Sequence, residues 1–213
     1  ARFVDLMAGR RFGKTLLMIY RMLLACQRPG AKVWYVAPFK NQAKEIAWID
    51  LLRIVPREIL AKPVESELYI EFKNGARISL KGADKDNLRG PGLDFIGVDE
   101  AQDLRPEVWD TILRPMLTGR NGQAMLIGTK KPANWFRNRW LSIDNNQIPE
   151  SKAFYFPSTA NTTVPRDEWD RIQKSTPHWI WDQEWISDHR TKDSEASGLK
   201  FSEFDRILHI AEP

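Results

Sequence analysis

Gly9-Arg10-Arg11-Phe12-Gly13-Lys14-Thr15 brings two glycines, a lysine and a hydroxyl together within seven residues. These are the residue types that cradle phosphate. The backbone N–H groups of such a loop point into one concavity, the Lys14 ammonium can reach β- and γ-phosphates, and the Thr15 hydroxyl can ligate Mg2+. Asp99 and Glu100 stand side by side at the end of an apolar run. One carboxylate suits the metal, opposite Thr15. The other suits a base that orients or deprotonates water for in-line attack on a γ-phosphate. Taken together these are parts for hydrolysis of a nucleotide such as ATP. The plain alternatives are a Gly-Lys-Thr turn with no ligand and a solvated acidic strand end.

Such hydrolysis also needs positive charge where the transition state builds up negative charge, and an arginine finger can be worth about 10³–10⁵ in rate. Arg10 lies inside the loop and could contact phosphate within its own subunit. Arg89 lies in the polar stretch Gly82–Gly92 and could project into a neighbour's site. Either could instead be a surface arginine, and Arg11 could equally turn out to solvent.

These residues function as a set only if the chain carries them to one place. Phe3-Val4-Asp5-Leu6-Met7 reads as a buried strand entering the loop, and Leu16 to Cys26 reads as a helix leaving it. That strand–loop–helix context is what makes the motif meaningful. Ala8 stands where the loop's first glycine is usual. Downstream, Lys32 to Ala37 reads as a strand, Asn41 to Ile54 as a helix and Arg57 to Ala61 as a short helical turn. Leu68–Phe72 and Ala76–Leu80 flank Asn74-Gly75, a strong hairpin signal. Leu93 to Gln102 reads as an apolar strand ending in the two carboxylates, Pro106 to Leu117 as a helix and Gln123 to Gly128 as a strand ending at Thr129. A helix over Trp135 to Ile143, a strand over Lys152 to Phe156 and a Trp-rich helical stretch over Pro165 to Asp188 complete the pattern. Alternating strands and helices imply a mostly parallel α/β sheet flanked by helices, with an added β-hairpin. Ligands in such sheets gather at the carboxyl ends of strands, where Lys14, Asp99 and Thr129 all fall.

The 213 residues suffice for a sizeable core, with 42% hydrophobic and 28% charged content. No apolar run approaches the roughly 18 residues of a membrane span, so no membrane partner is expected. One cysteine, Cys26, excludes an internal disulfide and is expected to pack in the apolar helix. Net charge is +4 and unevenly spread: residues 1–62 hold twelve Lys or Arg against four Asp or Glu, whereas 144–213 hold eight against thirteen. A basic first part suits an anionic partner, nucleotide or nucleic acid. Six of the nine tryptophans fall at or after Trp135, a spacing that suits a small core better than base stacking.

As a set, the motifs resemble the ATPase domain of the large terminase subunit, the DNA-packaging motor of tailed bacteriophages. The resemblance rests on the arginine-bearing loop Gly9–Thr15, on Tyr35-Val36-Ala37-Pro38 followed by Gln42, on Leu88-Arg89-Gly90, and on Val98-Asp99-Glu100-Ala101-Gln102, with Gly128-Thr129 as a weaker fifth feature. It implies a P-loop NTPase fold of the ASCE type. Residues 1–143 would form the ATPase core, and 144–213 a helical lid or linker leading toward an absent nuclease domain. Lys14 and Thr15 would take phosphate and Mg2+, Asp99 the metal, and Glu100 the role of base. Arg10 would sense the γ-phosphate, Arg89 would act as finger, and Thr129 would couple hydrolysis to movement. The implied partners are double-stranded DNA, further copies in a ring, the portal protein and the small terminase subunit, acting in the host cytoplasm at the procapsid. A chain starting at Ala1 is expected to continue upstream, where adenine contacts would lie. Two alternatives stay open: a helicase-like ATPase of a related superfamily, and a nucleotide-gated assembly module with little turnover.

Overall fold

A computed structural model of the chain describes residues 1–84, 88, 90–188 and 190; the expectations placed on Arg89 and on the tail 191–213 lie outside the described residues. Eight strands form one sheet: β1 (Phe3–Ala8), β2 (Lys32–Ala37), β3 (Leu60–Val64), β4 (Tyr69–Phe72), β5 (Arg77–Gly82), β6 (Phe95–Val98), β7 (Gln123–Gly128) and β8 (Ser151–Phe156). Their spatial order is β3-β4-β5-β2-β6-β7-β1-β8. All pairs from β5 to β8 in that order are parallel, and β3-β4 and β4-β5 are antiparallel. β7 separates β1 from β6, the ASCE arrangement. The central strands are buried on both faces, which is why they read as nearly continuous apolar runs.

Helices α1 (Lys14–Ala25) and α2 (residues 40–54, widening to i→i+5 bonding over Lys44–Trp48) cover one face. Met18, Ile19 and Met22 of α1, with Ala47 and Leu51 of α2, pack there on Tyr35, Ile78 and Leu80. Helices α3 (residues 108–116) and α4 (Trp135–Asp144) cover the other face, where Trp109, Leu113, Phe136 and Trp140 meet Met7, Val98 and Leu126. Beyond β8 come α5 (Arg166–Ser175) and α6 (residues 178–186). Among the described residues no helix is long and apolar enough to cross a membrane.

The chain departs from expectation in three places. The helical turn expected over Arg57–Ala61 is a turn leading into β3, which pairs with β4 and turns the expected hairpin into a three-stranded meander. β3 is the outermost strand, the location where Pro63 is tolerated because its missing N–H leaves no ladder bond unmade. The strand expected over 93–102 holds strand geometry only for Phe95–Val98; Glu100 turns left-handed and Ala101–Asp103 coils into a 3-10 turn. The helical stretch over 165–188 is split at Pro177, which cannot continue α5. β8, after residue 143 in sequence, pairs with β1 over six residues.

Two buried acids brace the sheet. Asp94 accepts from Arg28 Nη1 (2.8 Å), the Lys32 amide (2.8 Å) and Arg120 Nε (2.9 Å), joining three connections at the amino ends of the strands. Asp94→Ala should therefore destabilise the fold by about 2–3 kcal/mol, discounted for the exposure of Arg28. Thermal unfolding should show this as a fall of about 5–10 °C in Tm; an unchanged Tm would contradict the brace. Asp5, fully buried on β1, faces Arg139 of α4. Arg139 Nε stands 2.8 Å from Asp5 Oδ2 at an angle too bent for a hydrogen bond, and its Nη2 donates to Oδ1 at 3.3 Å.

Candidate nucleotide-hydrolysis site

The Gly9–Thr15 loop leaves β1 and is gripped by residues at and beyond the end of β8. The Gly9 amide donates to Phe156 O (3.1 Å), the Arg10 amide to Glu184 O (2.8 Å), Ser158 Oγ to Arg10 O (2.6 Å) and Asn161 Nδ2 to Arg11 O (2.6 Å). A Cβ on Gly9 would stand 2.0 Å from the Trp185 carbonyl oxygen and 2.2 Å from Ser158 Oγ. Gly9 is therefore required by close backbone approach, whereas Gly13 is favoured by its φ of 102° at the start of α1. Position 8 still belongs to β1, paired with Phe156. It needs no special backbone freedom, which explains why alanine serves there.

Lys14 is buried, and its ammonium donates to Ala8 O (2.7 Å) and Gly9 O (3.0 Å), folded back along its own loop. Burial is the leading cause that pulls its pKa below the usual lysine value, with the Glu100 and Asp99 charges opposing. Thr15 Oγ1 donates to Asp99 Oδ2 (3.1 Å), which also accepts from Tyr35 OH (2.6 Å). The other Asp99 oxygen takes the Glu100 amide at 2.8 Å. Burial raises the Asp99 pKa and these hydrogen bonds oppose the rise. A hydroxyl and one oriented carboxylate at the mouth of a phosphate loop form a donor set that suits Mg2+, which takes few protein ligands and completes its shell with phosphate and water.

Glu100 has φ 48° and ψ 47°, a left-handed conformation that costs a non-glycine residue about 1–2 kcal/mol. The turn aims its carboxylate into the cleft. There Gln102 Nε2 donates to Glu100 Oε2 (2.5 Å) and to Thr129 Oγ1 (3.4 Å), and Gln102 Oε1 accepts from the Thr129 amide (3.3 Å). Gln102 thus clamps the proposed base to the end of β7. The next amide, that of Lys130, donates to the buried Ser187 Oγ (2.6 Å), just past α6. Burial raises the Glu100 pKa most, and the Gln102 hydrogen bond lowers it. Arg10 closes the far wall, its Nε donating to Glu184 Oε2 at 2.7 Å. That bond, ahead of burial, holds the guanidinium pKa above its usual value.

Gly13, Lys14, Thr15, Asp99, Glu100, Thr129, Arg10, Arg11 and Phe12 all line one cleft of about 880 Å3. Phe12 also stacks face to face on Phe156, centroids 4.9 Å apart. The contacts of Gln102, Ser158 and Glu184 escaped sequence reasoning. For Gln102 a signal existed, since it closes the Val98–Gln102 motif two residues after Glu100. Ser158 and Glu184 reach the loop across 148 and 174 residues, and local spacing carries no trace of that. Of the late tryptophans, Trp169, Trp181 and Trp185 form a ring cluster, with Trp185 centroids 5.8 and 6.2 Å from the other two. Trp140 sits in the main core instead.

Comparison with known proteins bears on the family and the fold. Residues 5–190 match the family described as terminase large subunit, T4likevirus-type, N-terminal. The terminase large subunit of Escherichia phage T5 is 26% identical over 214 residues, spanning 98% of this chain and 48% of that protein. The solved large terminase ATPase domain of Thermus phage P74-26 superposes with a TM-score of 0.75 at 25% identity, covering 89% of both chains. The large terminase of a thermophilic bacteriophage, solved in complex with ADP, shares the fold at 14% identity with a TM-score of 0.77, covering 100% of this chain and 54% of that one. The chain spans about half the length of the curated relatives it matches. The family match over residues 5–190, on a chain whose fold superposes on solved terminase ATPase domains, leads to one assignment: this chain belongs to the terminase large subunit family, in its N-terminal region.

Proposed function

We propose that this chain hydrolyses ATP and that the hydrolysis drives double-stranded DNA into a viral procapsid. The observation that carries the reading is the convergence of Lys14, Thr15, Asp99 and Glu100 in one cleft, from elements up to 86 residues apart. In this reading the loop amides and Lys14 bind the phosphates, once Lys14 exchanges the Ala8 and Gly9 carbonyls for them. Mg2+, held by Thr15 and Asp99, supplies charge neutralisation at the β- and γ-phosphates. Glu100 takes the proton of the attacking water. Arg10 leaves Glu184 to meet the γ-phosphate, and Arg89, by resemblance, is the finger that completes the site from a neighbouring copy. Thr129 is the coupling residue, because it touches both the Gln102 clamp and, through Lys130, the Ser187 end of the lid.

Further copies in a ring, the portal protein and the small terminase subunit complete the proposed machine, at the procapsid in the host cytoplasm. Residues 1–143 together with β8, which completes the sheet beside β1, act as the motor core, and the described residues after β8 act as a lid. The relatives' described ATPase domain and ADP complex support the reading. Steady-state phosphate release by the intact protein, with ATP and DNA at high protein concentration, tests it. Sustained turnover stimulated by DNA is expected, while DNA binding without turnover would instead make the chain a nucleotide-gated assembly module.

Gln102 gives a finer test. It donates to Glu100 and to Thr129 and bonds to no residue of the Gly9–Thr15 loop among the hydrogen bonds of the described residues. Gln102→Ala should lower kcat about 10–100-fold, as loss of an orienting partner does, with nucleotide affinity held within about threefold of the parent. A variant with normal kcat would show that Glu100 needs no clamp.

A further inference from the structure

Among the described residues the second face of the sheet is only half covered: α3 and α4 lie over β6, β7 and β1, and no described helix packs on that side of β3, β4 and β5. The strand registers put Lys62 opposite Glu71, Glu71 opposite Arg77, and Arg77 opposite Lys32, all on this face. Tyr69, Ser79 and Trp34 form the next row, and Lys81 stands beyond Ser79 on β5. The uncovered face thus holds four cations, with Glu71 among them already bonded to Arg77 (3.1 Å) and Glu67 acting on Lys81 from the turn before β4. Among the described residues no carboxylate pairs with the side chains of Lys32 or Lys81.

Aromatic rings hold two of these cations, Arg77 and Lys81. The Arg77 guanidinium lies 4.1 Å over the Tyr69 ring, and the Lys81 ammonium 5.5 Å over the Trp34 ring. A ring attracts a cation through its quadrupole and leaves the full charge available to an anion above it. The Lys81 ammonium has its pKa lowered, by partial burial first and then by the Lys40 charge, with Glu67 opposing and Arg77 adding. With Arg77 shared with Glu71, and Glu67 only partly opposing at Lys81, the face keeps an excess of positive charge that an anion would relieve. Adjacent strands step by about 4.8 Å, so Lys62 to Lys32 spans roughly 14 Å. A groove of about 430 Å3 bordered by Lys32, Arg77, Ser79 and Lys81 runs along the face.

We propose that this open face, through Lys32, Arg77 and Lys81, is a contact surface for the phosphate backbone of double-stranded DNA. The proposal rests on the translocation reading for the identity of its partner. The contacts are to phosphate alone: a flat sheet face enters no groove, so the surface carries charge recognition and no sequence preference. It lies on the side of the sheet away from α1 and α2, and none of the three cations lines the nucleotide cleft.

The test is the salt dependence of binding to a random-sequence DNA duplex, measured without nucleotide on the intact protein. The variant Lys32→Ala/Arg77→Ala/Lys81→Ala is compared with Lys152→Ala/Arg166→Ala/Lys174→Ala, which removes the same charge from exposed positions elsewhere. Each lost phosphate contact lowers the slope of log K against log salt by about 0.9, so the first variant should lose about 2–3 in slope and at least about tenfold in affinity near 100 mM salt. The second should stay close to the parent, and ATP hydrolysis without DNA should be unchanged in both. Parental slope and affinity in the first variant would overturn the proposal. So would parental DNA binding with loss of self-association by light scattering, which would make the face a contact between copies. Should the triple variant unfold, Lys32→Ala and Lys81→Ala alone should each lose about 0.9 in slope. A parent protein that binds DNA with this salt slope and yet turns over no ATP would sink the motor reading and leave the surface standing.

Discussion

Glu100→Ala should lower steady-state phosphate release by roughly 10²–10⁴-fold, the usual contribution of a positioned general base, while nucleotide still binds. The size of the effect comes from geometry. Glu100 is held in a left-handed turn at the edge of the cleft its side chain lines. Gln102 fixes its Oε2 at 2.5 Å, and burial lifts its pKa toward the range where a base works best. The pH effect has a definite sign. The active form is the carboxylate, so turnover should fall with acidification, with a midpoint above that of an ordinary glutamate. Binding is spared because Lys14 and Thr15, not Glu100, are the groups aimed at the phosphates. A fluorescent nucleotide titration and a phosphate-release assay on the same preparation separate the two. Normal turnover in Glu100→Ala would assign the base elsewhere. Mixing this variant with Arg89→Ala extends the test: partial recovery of activity is expected if Arg89 serves a neighbour, and no recovery at any ratio would count against a finger in trans.

The second large effect concerns the buried pair beneath the loop. Asp5→Ala should destabilise the domain by about 3–5 kcal/mol, because it leaves the largely buried Arg139 charge without its partner. For a chain of this size that corresponds to a fall in Tm of about 10 °C or more. The pH dependence again has one direction. Burial pushes the Asp5 pKa up from 3.8 to about 6, against the Arg139 charge and hydrogen bond, which lower it. The folded state therefore holds this proton more tightly than the unfolded chain does. Its contribution is complete below about pH 4 and is lost as pH rises through about 6. Urea unfolding at pH 5 and pH 7.5 reads it: the parent should lose stability from this group over that interval, and Asp5→Asn should lack that loss. A parent that gains stability relative to Asp5→Asn on going from pH 5 to 7.5 would refute the sign.

Much of the sheet was legible because central parallel strands must be apolar on both faces. Phe3–Met7, Lys32–Ala37 and Gln123–Gly128 needed no tertiary information to be read as strands, and Asn74-Gly75 marked its turn by chemistry alone. β3 was not legible, because Leu60-Ala61-Lys62-Pro63-Val64 has neither alternation nor an apolar run. It becomes a strand by pairing with β4. The break at Pro177 was present in the sequence and was outweighed by helical spacing on either side.

For the site the division is similar. Residue type and order alone marked Gly9–Thr15, the Asp99-Glu100 pair and Thr129 as candidates, because each lies where a strand ends, and the structure brings them to one cleft. Only the tertiary structure decided what holds them. Ser158, Asn161, Glu184 and Trp185 close on the loop from the chain's last third, and Gln102 ties Glu100 to Thr129 across two strand ends. The physical reason is one of range. A local motif is dictated by backbone turns and side-chain chemistry a few residues apart, whereas the grip on Gly9–Thr15 is made of single hydrogen bonds spanning some 150 residues. Such bonds exist only once the sheet has brought β8 alongside β1.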